Sequence, residues 1–582
     1  MSTRSSGSNE LRAIAPGLPS ERLSEGRLPR VMRSRDMVTI CLITVMLISN
    51  VSLVAGAGGA GFIYWAIGFC AFLIPSALIC AQLYRLFPGE GAVYLWANKA
   101  FGSFWDSFVG LFCNWLPGVL GMLIGVSSFV TYIQALNPNW LVQPWQQGLA
   151  EVIVLVLALG LCSLGLRRQQ NIINVVVLAY VGIFVLLGLA GLIWLAGGHA
   201  PQGDFSAQGW HIGVANWPVF GVVIICMFGM EVPLNLGNEV ADQRSIGAYL
   251  FWGVVITIAG YLIATFAITV VLPPQDAVNP ALIAETFPKV FGPVFGGLLQ
   301  TIVNLILVAY FVCVTATFNM MFSRLLMLGG VDRRLPRSLQ NLNRKRIPLN
   351  AMVVQTVINI LLVLVIYFVA PAFAPSNQEL SLVVFLVTIN GASVIWNIAM
   401  IGLFLCGILL FVRYGYRLVG KWIIPPILLH LGAVLGIACS CFAIYSTLFA
   451  GSPIPQVLSN TDWIYWMFLV VLSSLAVGAA YSFLVPEAED LIALLGGGHS
   501  SVSTTGPTQV AAPRAQPGAL GSVREDFYAD NIPAPTFVPG PPPNAARGLS
   551  SSQQRRLSGE LFPGSSVHSG PYGNKDVSGP MG

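Results

Sequence analysis

An acid inside a long apolar run is the first residue in this sequence that could do chemistry. Glu231 stands in VVIICMFGMEVPLNLGNEV, two positions after Gly229 and two before Pro233. A carboxylate near the centre of a bilayer costs about 2.5–3.5 kcal/mol even on the lenient insertion scale, so such acids by default mark a substrate, ion or proton path. Pro233 lacks a backbone N–H and loosens a helix. A Gly, an acid and a Pro within five residues therefore suggest a discontinuous helix whose free backbone groups face a cavity. The alternative is an acid hydrogen-bonded to a neighbouring helix for packing alone.

A parallel feature occurs near the start of the chain, in MLISNVSLVAGAGGAG. Ser49, Asn50 and Ser52 are polar at mid-depth of an apolar run, and Gly56, Gly58, Gly59 and Gly61 follow. These residues permit unwinding, and polar atoms there suit a small ligand; the alternative is close helix packing through small residues. Two interrupted runs five helices apart are the layout of an inverted-repeat transporter, with the site between the breaks. Other mid-run polar residues read as hydrogen-bond partners between helices: Asn114 and Trp115; Asn304, Tyr310, Thr315 and Asn319; Asn390, Trp396 and Asn397.

Enzyme and metal chemistry find no support. There is no HExxH, GxSxG or Walker A loop. The absence of a nucleotide-binding loop argues against a primary pump. Of the five His, only His430 lies within an apolar run. All ten Cys fall inside apolar runs without CxxC or His/Cys spacing, which reads as packing, with no disulfide, metal or cofactor.

The elements that must carry these residues follow from composition. Charged residues are 9% and hydrophobic residues 55% of 582, against about 25% charged in an ordinary soluble domain. A spanning helix needs about 20 mostly apolar residues. Twelve such runs occur, at 37–56, 62–87, 104–133, 148–166, 171–197, 214–237, 247–272, 292–326, 350–370, 381–412, 423–450 and 462–485. The expectation is an all-α, multi-pass integral membrane protein of about twelve transmembrane helices. Barrel strands would alternate every second residue, and these runs are apolar on all sides.

Charge sets the orientation. With the N-terminus in the cytoplasm, the inner loops carry Arg85, Lys99, Arg167, Arg168, Arg244, Arg324, Arg333, Arg334, Arg337, Arg344, Lys345, Arg346, Arg413, Arg417 and Lys421, and the outer loops carry Lys289 alone. The positive-inside rule thus supports both the number of spans and cytoplasmic N- and C-termini. The net charge of +5 sits in these loops and tails, so it points to membrane orientation and away from nucleic acid. No apolar core with a small-residue cleavage site precedes Met37, and the first run is expected to serve as its own insertion signal. Residues 1–36 are expected to be cytoplasmic and mostly disordered, 37–485 the membrane domain, and 486–582 a disordered Pro/Gly/Ser-rich cytoplasmic tail.

Three segments, in order, resemble the amino acid permeases of the amino acid–polyamine–organocation superfamily. LYRLFPGEGAVYLWANKAFG, from Leu83 to Gly102, is similar to their ELxxxFPxxGGxYxWxxxAFG after span 2. FGMEVPLNLGNEV resembles FxGFExxxxxxEE of their span 6, and SRLLMLGGVDRRLPRSLQNLNRKRIPLNAMVVQ, from Ser323 to Gln355, resembles SRxLxxxxRDGxLPxxLxxxxxxxxPxxA after span 8. The first and tenth spans look most like the glutamate/GABA antiporter group. The usual GSGIF of span 1 is absent, with SNVSLVAGAGG in its region, and the second acid of the span 6 pattern is matched loosely by Glu239.

The resemblance implies inverted repeats of spans 1–5 and 6–10 (37–197 and 214–412) with two further helices (423–485). It implies that unwound parts of spans 1 and 6 hold the substrate's carboxylate and amino groups. Carried over, these are Ser49, Asn50, Val51 and Ser52, with Phe228, Gly229, Met230 and Glu231, and Glu231 is the candidate for proton coupling. No Lys or Arg stands at mid-membrane to pair with a side-chain carboxylate, so a neutral substrate fits as well as an acidic one. The function expected is a secondary transporter of amino acids or related amines in the cell membrane, by proton symport or exchange. A non-transporting receptor or scaffold, or a channel, stands as the alternative.

Overall fold

The computed structural model describes residues 18–21, 28–213, 216–242, 244–373, 379–414, 423–451 and 458–496. Most of the N-terminal segment (1–17 and 22–27), nearly all of the tail (497–582), and the loop cations Arg417 and Lys421 lie outside the described residues.

The described chain is helical, with a single isolated β-bridge between Met32 and Val240. In hydrocarbon every backbone N–H and C=O needs an internal partner, and a helix supplies one for each. The sequence makes long uninterrupted helices wherever it is apolar throughout. We label them α1 (Ser34–Val45), α2 (Ile48–Ala55), α3 (Gly59–Leu86), α4 (Ser103–Leu136), α5 (Pro144–Ser163), α6 (Leu166–Ala196), α7 (Pro218–Ile225), α8 (Arg244–Val271), α9 (Pro293–Val331), α10 (Leu349–Val369), α11 (Glu379–Tyr414), α12 (Pro426–Phe449) and α13 (Asn460–Gly496). Pro opens α5, α7, α9 and α12, where a first-turn N–H has no intrahelical acceptor and its absence costs nothing. Leu178 on α6 and Ile427 on α12 are among the most exposed apolar side chains, as a lipid-facing surface requires.

Ten of these helices are long and apolar enough to cross a membrane, eleven if the bent pair α1–α2 counts as one. The remaining expected run, 214–237, is not continuous. It consists of the eight-residue α7, a non-helical stretch, and a 3-10 helix over Val232–Glu239.

Parts of both terminal segments take up structure where residues are described. The last helix continues to Gly496, because EAEDLIALL is rich in good helix formers. In the N-terminal segment Leu18, Leu28 and Met32 are buried. The Ser20 N–H donates to Asp332 Oδ1 (2.8 Å), Glu21 pairs with Lys99 (3.0 Å), and Met32 exchanges backbone hydrogen bonds with Glu239 and Ala241 (3.0 and 2.9 Å). Arg324, expected among the loop cations, is corrected: it lies within α9 and is fully buried, because two acids meet it there.

Helix α9 packs most extensively along Cys113–Leu136 of α4, and α8 lies against both α6 and α1. These helices bring three mid-helix tyrosines, Tyr180, Tyr261 and Tyr310, to the gap between α1 and α2.

Candidate functional site

Both interrupted segments lie in the buried centre of the bundle, and they touch. Helices α1 and α2 meet at 48° around Met46 and Leu47, whose backbone leaves the helical region (ψ 85° and 102°). A break strands carbonyls and N–H groups that water cannot reach. Here tyrosine hydroxyls serve them. Those of Tyr180 and Tyr310 both lie 2.7 Å from the Met46 carbonyl, and Tyr180 also accepts from the Ile48 N–H (3.0 Å). Their rings stack at 3.6 Å between centroids.

The second break follows α7. Gly229 has φ +107°, a region L side chains rarely adopt, which explains the glycine. Its carbonyl faces the Thr44 hydroxyl of α1 (3.4 Å). The Tyr261 hydroxyl sits between the breaks, 2.5 Å from the Val45 carbonyl and 2.8 Å from that of Cys226. Trp65 stacks on the Tyr261 ring at 4.5 Å and is itself held by its Nε1–H to Thr265. We expect Tyr261→Phe, which strands one of two buried carbonyls, to cost about 1–3 kcal/mol. A lowered thermal unfolding midpoint of the purified protein checks this, and an unchanged midpoint would mean that the hydroxyl is dispensable.

The predicted residues fall as follows. Ser49, Asn50, Val51 and Ser52 are in the first turns of α2, just after the break. Ser52 is buried and its hydroxyl bonds the Ser49 carbonyl (2.8 Å). Gly56 and Gly58 are not in the break; they form the turn into α3, and Gly59 N–H reaches the Asp204 carbonyl (3.2 Å). That turn, with Asp204, Gln208, Asn216 and Thr269, lines a cavity of about 150 Å³. The Ser206 hydroxyl and N–H hold the Asp204 carboxyl below its usual range, so it is charged at neutral pH.

Phe228, Gly229, Met230 and Glu231 form the second break. Glu231 is buried, and its Oε1 accepts from Trp396 Nε1 of α11 (3.0 Å). Its Oε2 has no hydrogen-bond partner among the described residues. Trp396 is flanked by Phe228 (5.4 Å), Phe318 (6.3 Å) and Phe322 (6.1 Å). The arrangement is a carboxylate with one free oxygen beside aromatic rings, next to two sets of helix-broken backbone groups. An ammonium group is recognised by just such acids and ring faces.

Sequence reasoning missed Tyr180 and Tyr261, although their positions in the middle of apolar runs were the signal. It also missed Glu151, buried in α5 with its carboxylate accepting from the Tyr367 hydroxyl of α10 (2.8 Å).

Residues 37–473 match the amino acid permease family. The chain belongs to that family. It is 25% identical over 259 residues to an uncharacterized transporter of Legionella pneumophila, covering 42% of this chain and 53% of that one. It is 24% identical over 294 residues to the probable agmatine/putrescine antiporter AguD of Lactococcus lactis (49% and 60%). It is 27% identical over 237 residues to the L-methionine/branched-chain amino acid exporter YjeH of Escherichia coli (40% and 53%). The chain spans between half and two thirds of the length of these relatives.

Proposed function

We propose that this chain is a secondary transporter that moves an amino acid or related amine across the cell membrane by alternating access. One observation carries the reading: two helix breaks face each other across the Tyr261 hydroxyl, beside a buried carboxylate with an unpartnered oxygen. Broken helices meeting at the centre of a membrane bundle are where transporters bind their substrates. On this reading the α7–Glu239 segment is the sixth of twelve spans, spans 1–5 and 6–10 are inverted repeats, and both termini are cytoplasmic. The N-terminal end of α2, with Ser49, Asn50, Val51 and Ser52, presents its positive dipole end to a substrate carboxylate. Carbonyls and ring faces at Phe228, Gly229 and Met230 receive the ammonium, and Glu231 pairs with it or exchanges a proton as the site opens.

The site favours an amine over an acidic substrate. No ion pair to Glu231 occurs among the described residues, and its neighbours are aromatic. The relatives above are named for agmatine and putrescine or for methionine and branched-chain amino acids, which share an amino group. The test is uptake of labelled putrescine, agmatine, leucine, methionine and glutamate into proteoliposomes, with and without an inward proton gradient or an unlabelled internal partner. Saturable uptake of an amine or neutral amino acid, with glutamate excluded, is expected. No saturable flux for any of them overturns the reading.

A further inference from the structure

The face that carries the N-terminal segment holds a second buried charge cluster, which the substrate site does not use. Glu90 lies in the loop after α3, Arg324 in α9, and Glu239 at the end of the 3-10 helix, and all three are buried. Arg324 Nη2 donates to Glu239 Oε1 (2.5 Å), and its Nε lies 3.8 Å from Glu90 Oε1. Glu90 Oε2 accepts from the Asn238 N–H (2.9 Å). Among the described residues, Glu90 Oε1, Glu239 Oε2 and Arg324 Nη1 have no hydrogen-bond partner. Two carboxylates thus share one guanidinium. With both ionised the cluster carries a surplus negative charge away from water, and a buried pair of acids relieves this by keeping one proton.

Among the described residues no ion pair joins a second cation to Glu90 or Glu239. Tyr84 of α3 bonds the Gly237 carbonyl (2.9 Å) and feels both Glu90 and the exposed Arg30 of the N-terminal segment. Cys162 of α5 lies within the field of Arg324. Burial, with Glu239 beside it, pushes the Glu90 carboxyl well above its usual range, against the opposing pull of Arg324 and the Asn238 N–H.

The cluster also sits where elements must part if this face opens. Gly237 presses on the Gly89 backbone so closely that a Cβ there would lie 2.0 Å from the Gly89 oxygen. The Glu239 carbonyl accepts from the Met32 N–H (3.0 Å). Separating loop 88–91, segment 237–241 and α9 lets water reach all three charges, and a solvated glutamate gives up its proton near pH 4.3.

We propose that the Glu90–Arg324–Glu239 cluster is a proton-binding site distinct from Glu231, occupied while this face is closed and emptied to water as it opens. The closed form binds the proton more tightly, so low pH favours closure. Opening becomes easier as pH rises above the solvated carboxyl value toward the raised one. One released proton makes the opening equilibrium climb about tenfold per pH unit in that window. The inference rests on the alternating-access reading for the meaning of opening.

The experiment is hydrogen exchange of the purified full chain without substrate, followed by mass spectrometry between about pH 5.5 and about pH 8.5, read as protection factors that divide out the chemical pH dependence. For peptides covering 88–91 and 237–241, wild-type protection is expected to fall with pH, at up to about tenfold per unit. Glu90→Gln and Glu239→Gln each leave one carboxylate for one guanidinium, and each is expected to flatten the profile. A flat wild-type profile, or both variants keeping the wild-type slope, overturns the proposal. Proteoliposome uptake is scored separately: saturable flux with a flat exchange profile removes this proton site alone, and a steep profile without flux removes the transporter reading alone.

Discussion

Glu231→Gln proteoliposomes are expected to lose the response to an inward proton gradient and to take up the preferred amine or neutral amino acid about ten- to a hundredfold more slowly. That range is what losing one hydrogen bond to a charged group, about 1.5–3 kcal/mol, amounts to. The substitution is nearly isosteric, and a glutamine oxygen can still accept from Trp396 Nε1, as Glu231 Oε1 does now at 3.0 Å. Packing among Phe228, Phe318, Phe322 and Trp396 is therefore retained, and only the charge and the exchangeable proton are removed. Uptake with and without a gradient separates the two roles. Loss of the gradient response alone makes Glu231 a proton carrier, and loss of affinity alone makes it an ammonium partner. Wild-type behaviour in both would remove Glu231 from the mechanism.

Gly237→Ala should be the most damaging Gly→Ala change among the described residues. The added Cβ would overlap a backbone oxygen, that of Gly89, which cannot rotate aside as a side chain would. Overpacking of this kind costs about 1–3 kcal/mol and occasionally more. The displaced loop would also pull Glu90 from the Asn238 N–H and strip Tyr84 from the Gly237 carbonyl. We expect a lowered unfolding midpoint and uptake reduced to near background, because the face can no longer close. Gly182→Ala on α6, where a Cβ meets nothing within 4 Å, is the matched control and should behave as wild type. Equal midpoints for the two variants would contradict the close approach.

The helices were legible in the sequence because a bilayer demands unbroken apolar runs, and eleven of the twelve runs have a helical counterpart within several residues of the expected ends. The break near Glu231 was legible too, since Gly229 and Pro233 declare it locally. The break in the first run was misplaced by about three residues. Polar and small residues drew attention to Ser49–Ser52 and to the glycines after Ala55, whereas the chain opens at Met46–Leu47, two residues with no local reason to do so. The reason is remote: hydroxyls from α6, α8 and α9 make the stranded groups tolerable. The buried cluster was hidden for a similar cause. Glu90, Glu239 and Arg324 are 85 or more positions apart between neighbours in space, and each alone looks like a loop charge.

That remote support has a consequence for how the protein is made. A chain synthesised from its N-terminus places Met46 and Leu47 in the membrane before Tyr180, Tyr261 and Tyr310 exist. Without those hydroxyls, an open turn in hydrocarbon is costly, and a straight helix through Ser34–Ala55 is the cheaper form. The first segment is therefore expected to enter the bilayer whole and to bend only once its later neighbours have arrived, which would make the candidate site among the last parts of the molecule to mature.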